Sequence, residues 1–256
     1  MKPVTKVVSI AAVAGGMAVA ALPTAATASG QTSAKSPFHP APSQEVATLN
    51  TDHTYSARAG GKRMGTVSRK RPITGEATTL PVLGTTKKGK TTWLHVRMPG
   101  RQKNQHPPVT AWIKAPGTRL WRITEHIYVT IGPNTSGFSN RRRVWVYNRG
   151  KLVKTWLAVP GAPGRVTPTG EFFVEENINE GYHFPGGPFA LATSARSQTY
   201  KSFDNGPGQV AIHGMADGLQ AKPGTAVSHG CVRLPNSEDI WLARRTFQGT
   251  PVTIVR

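Results

Sequence analysis

The 256-residue chain contains one cysteine, Cys231, and no CxxC pair. A single thiol cannot close a disulfide within the chain, and a zinc site built on paired cysteines is excluded. Acidic residues are scarce, 12 Asp and Glu against 32 Lys and Arg, for a formal net charge of +20. Beyond Leu22 no long apolar run occurs, so no second membrane segment is expected and the mature chain should be soluble. The sequence also lacks internal repeats, a recognition-helix pattern and zinc-finger spacing. Nucleic acid is therefore not the expected partner, despite the charge.

What is present begins with a leader. Lys2 and Lys6 precede an uncharged, mostly apolar stretch from Val7 to Leu22, and Ala26-Thr27-Ala28 gives small-x-small spacing. These features predict a signal peptide over residues 1–28 and a secreted, extracytoplasmic protein, with an uncleaved N-terminal membrane anchor as the alternative. No cysteine directly follows the apolar run, which excludes a lipid anchor on a processed N-terminus. In an exported protein a lone thiol is either buried and inert or kept because it reacts.

Residues 29–44, built from Ser, Thr, Pro, Ala and Gln, read as a flexible linker. Short apolar pieces then alternate with turn signals: Leu80-Pro81-Val82-Leu83, Trp93-Leu94-His95-Val96 and Ala111-Trp112-Ile113, separated by Gly84, Gly89 and Pro99-Gly100. This pattern predicts a small β-barrel over 45–117, with 101–108 as an exposed basic loop. The three pieces are similar to those of bacterial SH3-type domains. Residues 45–120 carry fourteen Lys/Arg against three Asp/Glu, a net of +11, and 121–256 carry fifteen against nine, a net of +6. In an exported protein such a surface suits an anionic cell wall, and with it a cell-wall-associated location, or an anionic membrane surface, or simply keeps the protein in solution.

A second β-rich domain is expected over 122–256. Val144–Tyr147 and Leu152–Val159 flank Asn148-Arg149-Gly150-Lys151, a hairpin signal. Further strands are expected at Glu171–Val174, Gln209–Ile212, Cys231–Leu234 and Val252–Val255. One short helix should start at Asn236 as its cap and run through Ile240-Trp241-Leu242 to Arg245. The stretch between Thr167 and Ile212 reads as loop-heavy, and Gly181–Pro188 within it as a lid over a cleft.

The chemistry concentrates around Cys231. It sits in Ser228-His229-Gly230-Cys231-Val232-Arg233-Leu234, downstream of Ile212-His213-Gly214. A thiolate is the nucleophile in cysteine acyl transfer, and a nearby imidazole is the usual way to generate it. Gly214 lets the backbone approach a cleft, and Gly230 permits a tight turn. The Gly230 and Cys231 N–H groups are the expected oxyanion donors. Spacing does not choose a base, because His213 ends a strand and His229 is two residues from the thiol. Arg233 would bind a substrate carboxylate or brace the loop. A zinc site from His213, His229 and Cys231 lacks a fourth ligand, and neither a metal nor a cofactor is expected. The order of Cys and His is also the reverse of that in papain-like proteases.

His213-Gly214 followed by Ser228-His229-Gly230-Cys231-Val232-Arg233-Leu234, with Thr167-Pro168-Thr169-Gly170-Glu171-Phe172 upstream, resembles the signature of the L,D-transpeptidases with a YkuD-type catalytic domain. The resemblance covers about 122–256. It implies a mainly β chain: a small SH3-like barrel, then a β-rich catalytic domain with one or two short helices. It further implies that Cys231 is acylated by a peptidoglycan tetrapeptide stem with loss of D-alanine. Transfer to an acceptor amine would then form 3→3 crosslinks. By the family pattern His213 is the base, oriented by the Gly214 carbonyl. His229 and Ser228 shape the pocket, and the Gly230–Cys231 backbone stabilises the oxyanion. Carbapenem β-lactams are the implied inhibitors. The alternatives are an L,D-carboxypeptidase that uses water as acceptor, and a non-catalytic wall-binding protein.

Overall fold

The computed structural model describes residues 37–100, 108–184, 186–197, 199–203, 206–216 and 221–256. The expected signal peptide, the first half of the expected linker, nearly all of the basic loop at 101–108 and residues 217–220 lie outside the described residues.

Seven strands form the first sheet: β1 (Gln44–Leu49), β2 (His53–Ser56), β3 (Arg63–Val67), β4 (Thr79–Lys88), β5 (Thr91–Arg97), β6 (Thr110–Lys114) and β7 (Thr118–Ile123). Their order is β3-β2-β6-β5-β4-β1-β7, with every pairing antiparallel. No ladder joins β3 to β7 among the described residues. The sheet also runs on to Ile123, past the expected limit at 117, because β7 pairs with β1 along its length.

The remaining strands are β8 (Glu125–Thr130), β9 (Arg143–Asn148), β10 (Lys151–Leu157), β11 (Gly170–Asn179), β12 (Phe189–Arg196), β13 (Ser202–Phe203), β14 (Gly206–Pro207), β15 (Gln209–His213), β16 (Val232–Arg233) and β17 (Pro251–Val255). Helix α1 spans Asn236–Ala243. Eight of these strands make a mixed sheet in the order β10-β9-β8-β17-β11-β12-β15-β16, parallel at β8–β17 and β15–β16; β13 and β14 pair separately. The chain is mainly β.

Local chemistry explains the elements that position the site. Arg149 and Gly150 both have positive φ, 49° and 76°, which is the two-residue turn that closes a twisted hairpin between β9 and β10. All five residues of β15 are buried, as expected of an apolar run flanked by partners on both edges. Helix α1 starts after Pro235, whose fixed φ ends the preceding extended segment. Asn236 is therefore the first helical residue and not the cap, and its side chain is used elsewhere.

The stretch read as loop-heavy holds two long strands, β11 and β12. Phe189-Ala190-Leu191-Ala192-Thr193-Ser194-Ala195-Arg196 has few β-branched residues, and its strand character comes from burial between β11 and β15.

The catalytic-side core gathers Ile127, Val129, Val144, Val146, Val174, Leu191, Ile212, Val232, Val252 and Ile254 with Leu242 of α1. The core of the first sheet, including Leu49, Leu80, Leu94, Val96 and Ile113, takes in Phe173 from β11, 1% exposed. The two sheets are joined again by buried charge. Arg71, in the segment between β3 and β4, pairs with Glu175, and Arg196 binds the same carboxylate at 2.9 Å. Gly100 N–H and Gln209 Nε2 donate to Glu175 as well, at 2.7 and 2.9 Å. Next to it, Glu176 Oε2 accepts the backbone N–H groups of Ile73 and Thr74 at 3.1 and 2.8 Å. Near the N-terminus, Phe38 stacks on Tyr128 with centroids 4.5 Å apart, so the second half of the expected linker is packed against the catalytic sheet.

Candidate active site

Strand β15 carries Ala211 and His213 on one face, and β16 runs parallel beside it with His213 opposite Arg233. One repeat back along that register Cys231 lies beside Ala211, whose N–H donates to Sγ at 3.4 Å. The thiol is half-buried against Ala211, Ala190, Ala192 and Ile178, with Ile73 of the first-sheet segment in the same cluster. Cys231 and His213 thus share a face of neighbouring strands.

The ring of His213 is held from behind. Its Nδ1 lies 2.6 Å from the Gly214 carbonyl and 3.0 Å from the Gly186 carbonyl. A carbonyl only accepts, so Nδ1 carries the hydrogen and Nε2 keeps its lone pair. Burial, helped by the charge of Arg233, lowers the His213 pKa to about 4 against these two bonds. For Cys231, burial pushes the thiol up, and Glu180 adds to this; the Ala211 N–H and Arg233 pull the other way. Both shifts favour a protonated thiol and a neutral imidazole at neutral pH.

The turn before Cys231 is fixed by Ser228. This residue is fully buried, and its hydroxyl donates to the Cys231 carbonyl at 2.5 Å while accepting Gly230 N–H at 3.1 Å. Gly230 has φ +124°, a conformation that a side chain would strain. Of the two expected oxyanion donors, the Gly230 N–H is engaged by Ser228, whereas the Cys231 N–H makes no hydrogen bond to the described residues.

His229 sits apart, half-exposed, its ring tilted on Tyr200 with centroids 5.5 Å apart. Its pKa is lowered by desolvation and by the charges of Arg165 and Arg233. Arg233 bridges main chain with main chain, to Val159 at 2.9 and 3.0 Å, and its guanidinium acts on His213, His229 and Cys231 alike. A cation in that place suits a carboxylate on a ligand.

The sequence profile of the YkuD family, the L,D-transpeptidase catalytic domain, matches residues 138–254. A protein designated L,D-transpeptidase YkuD in Bacillus subtilis strain 168 is 37% identical over 137 residues, 53% of this chain and 69% of that protein. The chain belongs to the L,D-transpeptidase family. The corresponding Bacillus licheniformis protein is 35% identical over 116 residues, and the match spans 45% of this chain and 61% of that relative. Among solved structures, an L,D-transpeptidase in complex with imipenem aligns over 68% of this chain and 98% of its own, with 15% identity and a TM-score of 0.39. At that score the likeness is loose.

Several residues that serve this L,D-transpeptidase-family site carry no signal in the motif. Gly186 supplies a carbonyl to His213, and Gly187 packs so closely on Gly214 that a Cβ would lie 2.5 Å from its carbonyl carbon. The segment read as a lid is therefore pinned to the turn behind His213, with Glu180 N–H and Gly181 N–H both donating to the Pro188 carbonyl. Arg142 is fully buried and donates to the carbonyls of Ile131, Pro133, Thr135, Gly137 and Gly224, tying down the loop that leads to Ser228. An Arg-Arg-Arg run at 141–143 gives no sign that its middle member is the buried one.

Proposed function

We propose that this chain is an exported peptidoglycan L,D-transpeptidase that uses Cys231 as its nucleophile and His213 as its base. The observation that carries the reading is the placement, on one face of neighbouring strands, of a half-buried thiol and a neutral imidazole whose Nδ1–H is held by two carbonyls. His213 Nε2 takes the thiol proton as Sγ attacks the carbonyl of the third residue of a tetrapeptide stem. Charge builds on the carbonyl oxygen beside the Cys231 N–H. Collapse of the adduct breaks the bond to D-alanine, whose amine leaves with the proton from His213. An acceptor amine then attacks the thioester and gives its proton to His213. The new amide is the 3→3 crosslink, and the thiol is regenerated.

Arg233 is the proposed partner for a stem carboxylate. His229, on the rim with Tyr200, contacts the bound stem. A carbapenem offers the same thiol a strained acyl group, so a covalent adduct on Cys231 is the proposed mode of inhibition. The basic first sheet is proposed to hold the enzyme on an anionic wall.

The test is product analysis by mass spectrometry after incubation with disaccharide-tetrapeptides. Release of D-alanine with a 3→3 dimer, absent in Cys231→Ala, is expected. Release of D-alanine without a dimer would make the enzyme a carboxypeptidase. No Cys231-dependent product from a folded, reduced protein would refute the proposal.

A further inference from the structure

Behind His213 the chain turns at Gly214, where no side chain fits. A Cβ there would lie 2.6 Å from Asn236 Oδ1, 2.8 Å from Pro188 Cδ and 3.0 Å from Asp239 Oδ2. Two of these three neighbours belong to the first turn of α1. Asn236 Oδ1 accepts the N–H of Met215 at 2.8 Å. Asp239 Oδ2 accepts the N–H of Phe189 at 3.0 Å, and the Phe189 carbonyl in turn accepts the N–H of Gly214 at 3.4 Å. The helix therefore holds the peptide whose carbonyl accepts His213 Nδ1 directly, through Asn236, and the preceding peptide through Asp239 and Phe189.

Asp239 is costly where it stands. It is fully buried, and its second oxygen, Oδ1, has no hydrogen-bond partner. Burial raises its pKa to about 8, with Glu180 adding to the rise, so the acid is mostly protonated at neutral pH. An apolar residue at this helix position would avoid the desolvation cost but would leave the Phe189 N–H without its acceptor. The contact it makes instead is to the turn that orients the base.

We propose that Asp239, with Asn236, is a positioning residue for His213, acting through the Gly214 peptide to fix the ring with Nδ1–H inward and Nε2 open. This rests on the reading of His213 as the base. Neither side chain touches the thiol or the substrate. A protonated acid and an amide have the same shape and both offer an acceptor oxygen, so Asp239→Asn should preserve the arrangement, whereas Asp239→Leu removes the acceptor.

The experiment reads the His213 ring directly, by long-range ¹H–¹⁵N NMR with the signal assigned by His213→Gln. The parent and Asp239→Asn are expected to show the single tautomer protonated at Nδ1. Asp239→Leu is expected to show a mixture of tautomers, with Cys231 acylation by p-nitrophenyl acetate slowed by at least about tenfold. Asn236→Ala, which frees only the Met215 N–H, should shift the ring signal in the same direction and decides the matter if Asp239→Leu fails to fold. A pure Nδ1–H tautomer and parental acylation in the leucine and alanine variants that fold would overturn the proposal. Neither readout uses peptidoglycan, so a protein inactive on wall fragments can still pass or fail this test.

Discussion

At the scale of single residues, the site depends on groups whose protonation the fold has shifted, and stability should follow pH accordingly. His213 and His126 are held near a pKa of about 4, so the unfolded chain binds more protons between about 4 and 6.5, and their contribution is lost as pH falls through that window. Asp239 is held near a pKa of about 8, so the folded chain binds the extra proton, and that contribution is lost as pH rises from about 4 to 8. Between pH 6.5 and 8 the histidine contributions level off while that of Asp239 is still being lost, and the Tm should decline there. Asp239→Asn should flatten the decline, as read by thermal melts across that range; an unchanged slope would show that Asp239 is not the group involved. The Ser228 hydroxyl is a second residue-scale device. Ser228→Ala leaves the chain folded at a cost of about 1 kcal/mol but unties the turn at Gly230. Intact-mass acylation kinetics should show a loss of rate with little change in Tm. The motif announced Cys231, His213 and Gly214 because those residue types are rare together. It did not announce the direction of the Ser228 hydroxyl, which is set by backbone geometry, nor Asp239, whose neighbour Gly214 lies 25 residues away in the chain.

At the scale of elements, β11 is the strand on which both sheets depend. Its Phe173 fills the core of the first sheet, and its Glu175 and Glu176 bind the 71–74 segment and the start of β15 through Gln209. Phe173→Ala should destabilise the whole protein by about 3–5 kcal/mol, seen as one cooperative transition in denaturant melts. Arg71→Met leaves Glu175 with one fewer cation and should cost about 3–5 kcal/mol. Separate melting of two units in either variant would contradict the shared core. The hairpin at Asn148–Lys151 and the strands β9, β15 and β17 were legible because apolar runs and turn residues mark them locally. β12 was not, since Ala-rich sequence becomes a strand only by being enclosed. The helix start was misplaced by one residue for a related reason: Asn236 has a capping side chain, yet Met215 takes it.

Across the whole molecule, charge separates where chemistry does not. The first-sheet region is the more basic part, and the proposed wall contact predicts that binding to isolated cell walls weakens steeply as ionic strength rises, in Cys231→Ala as much as in the parent. Salt-insensitive binding in a sedimentation assay would point to contacts other than charge. The central claim concerns the thiol and its base. It is tested most directly by the rate of acyl-enzyme formation, followed by intact-protein mass spectrometry with a tetrapeptide stem, in the parent, His213→Ala, His229→Ala and Cys231→Ala. The expected result is no adduct in Cys231→Ala, a loss of about 10²–10⁴ in His213→Ala, and a far smaller loss in His229→Ala. Parental acylation in His213→Ala with none in His229→Ala, or an adduct surviving in Cys231→Ala, would contradict it.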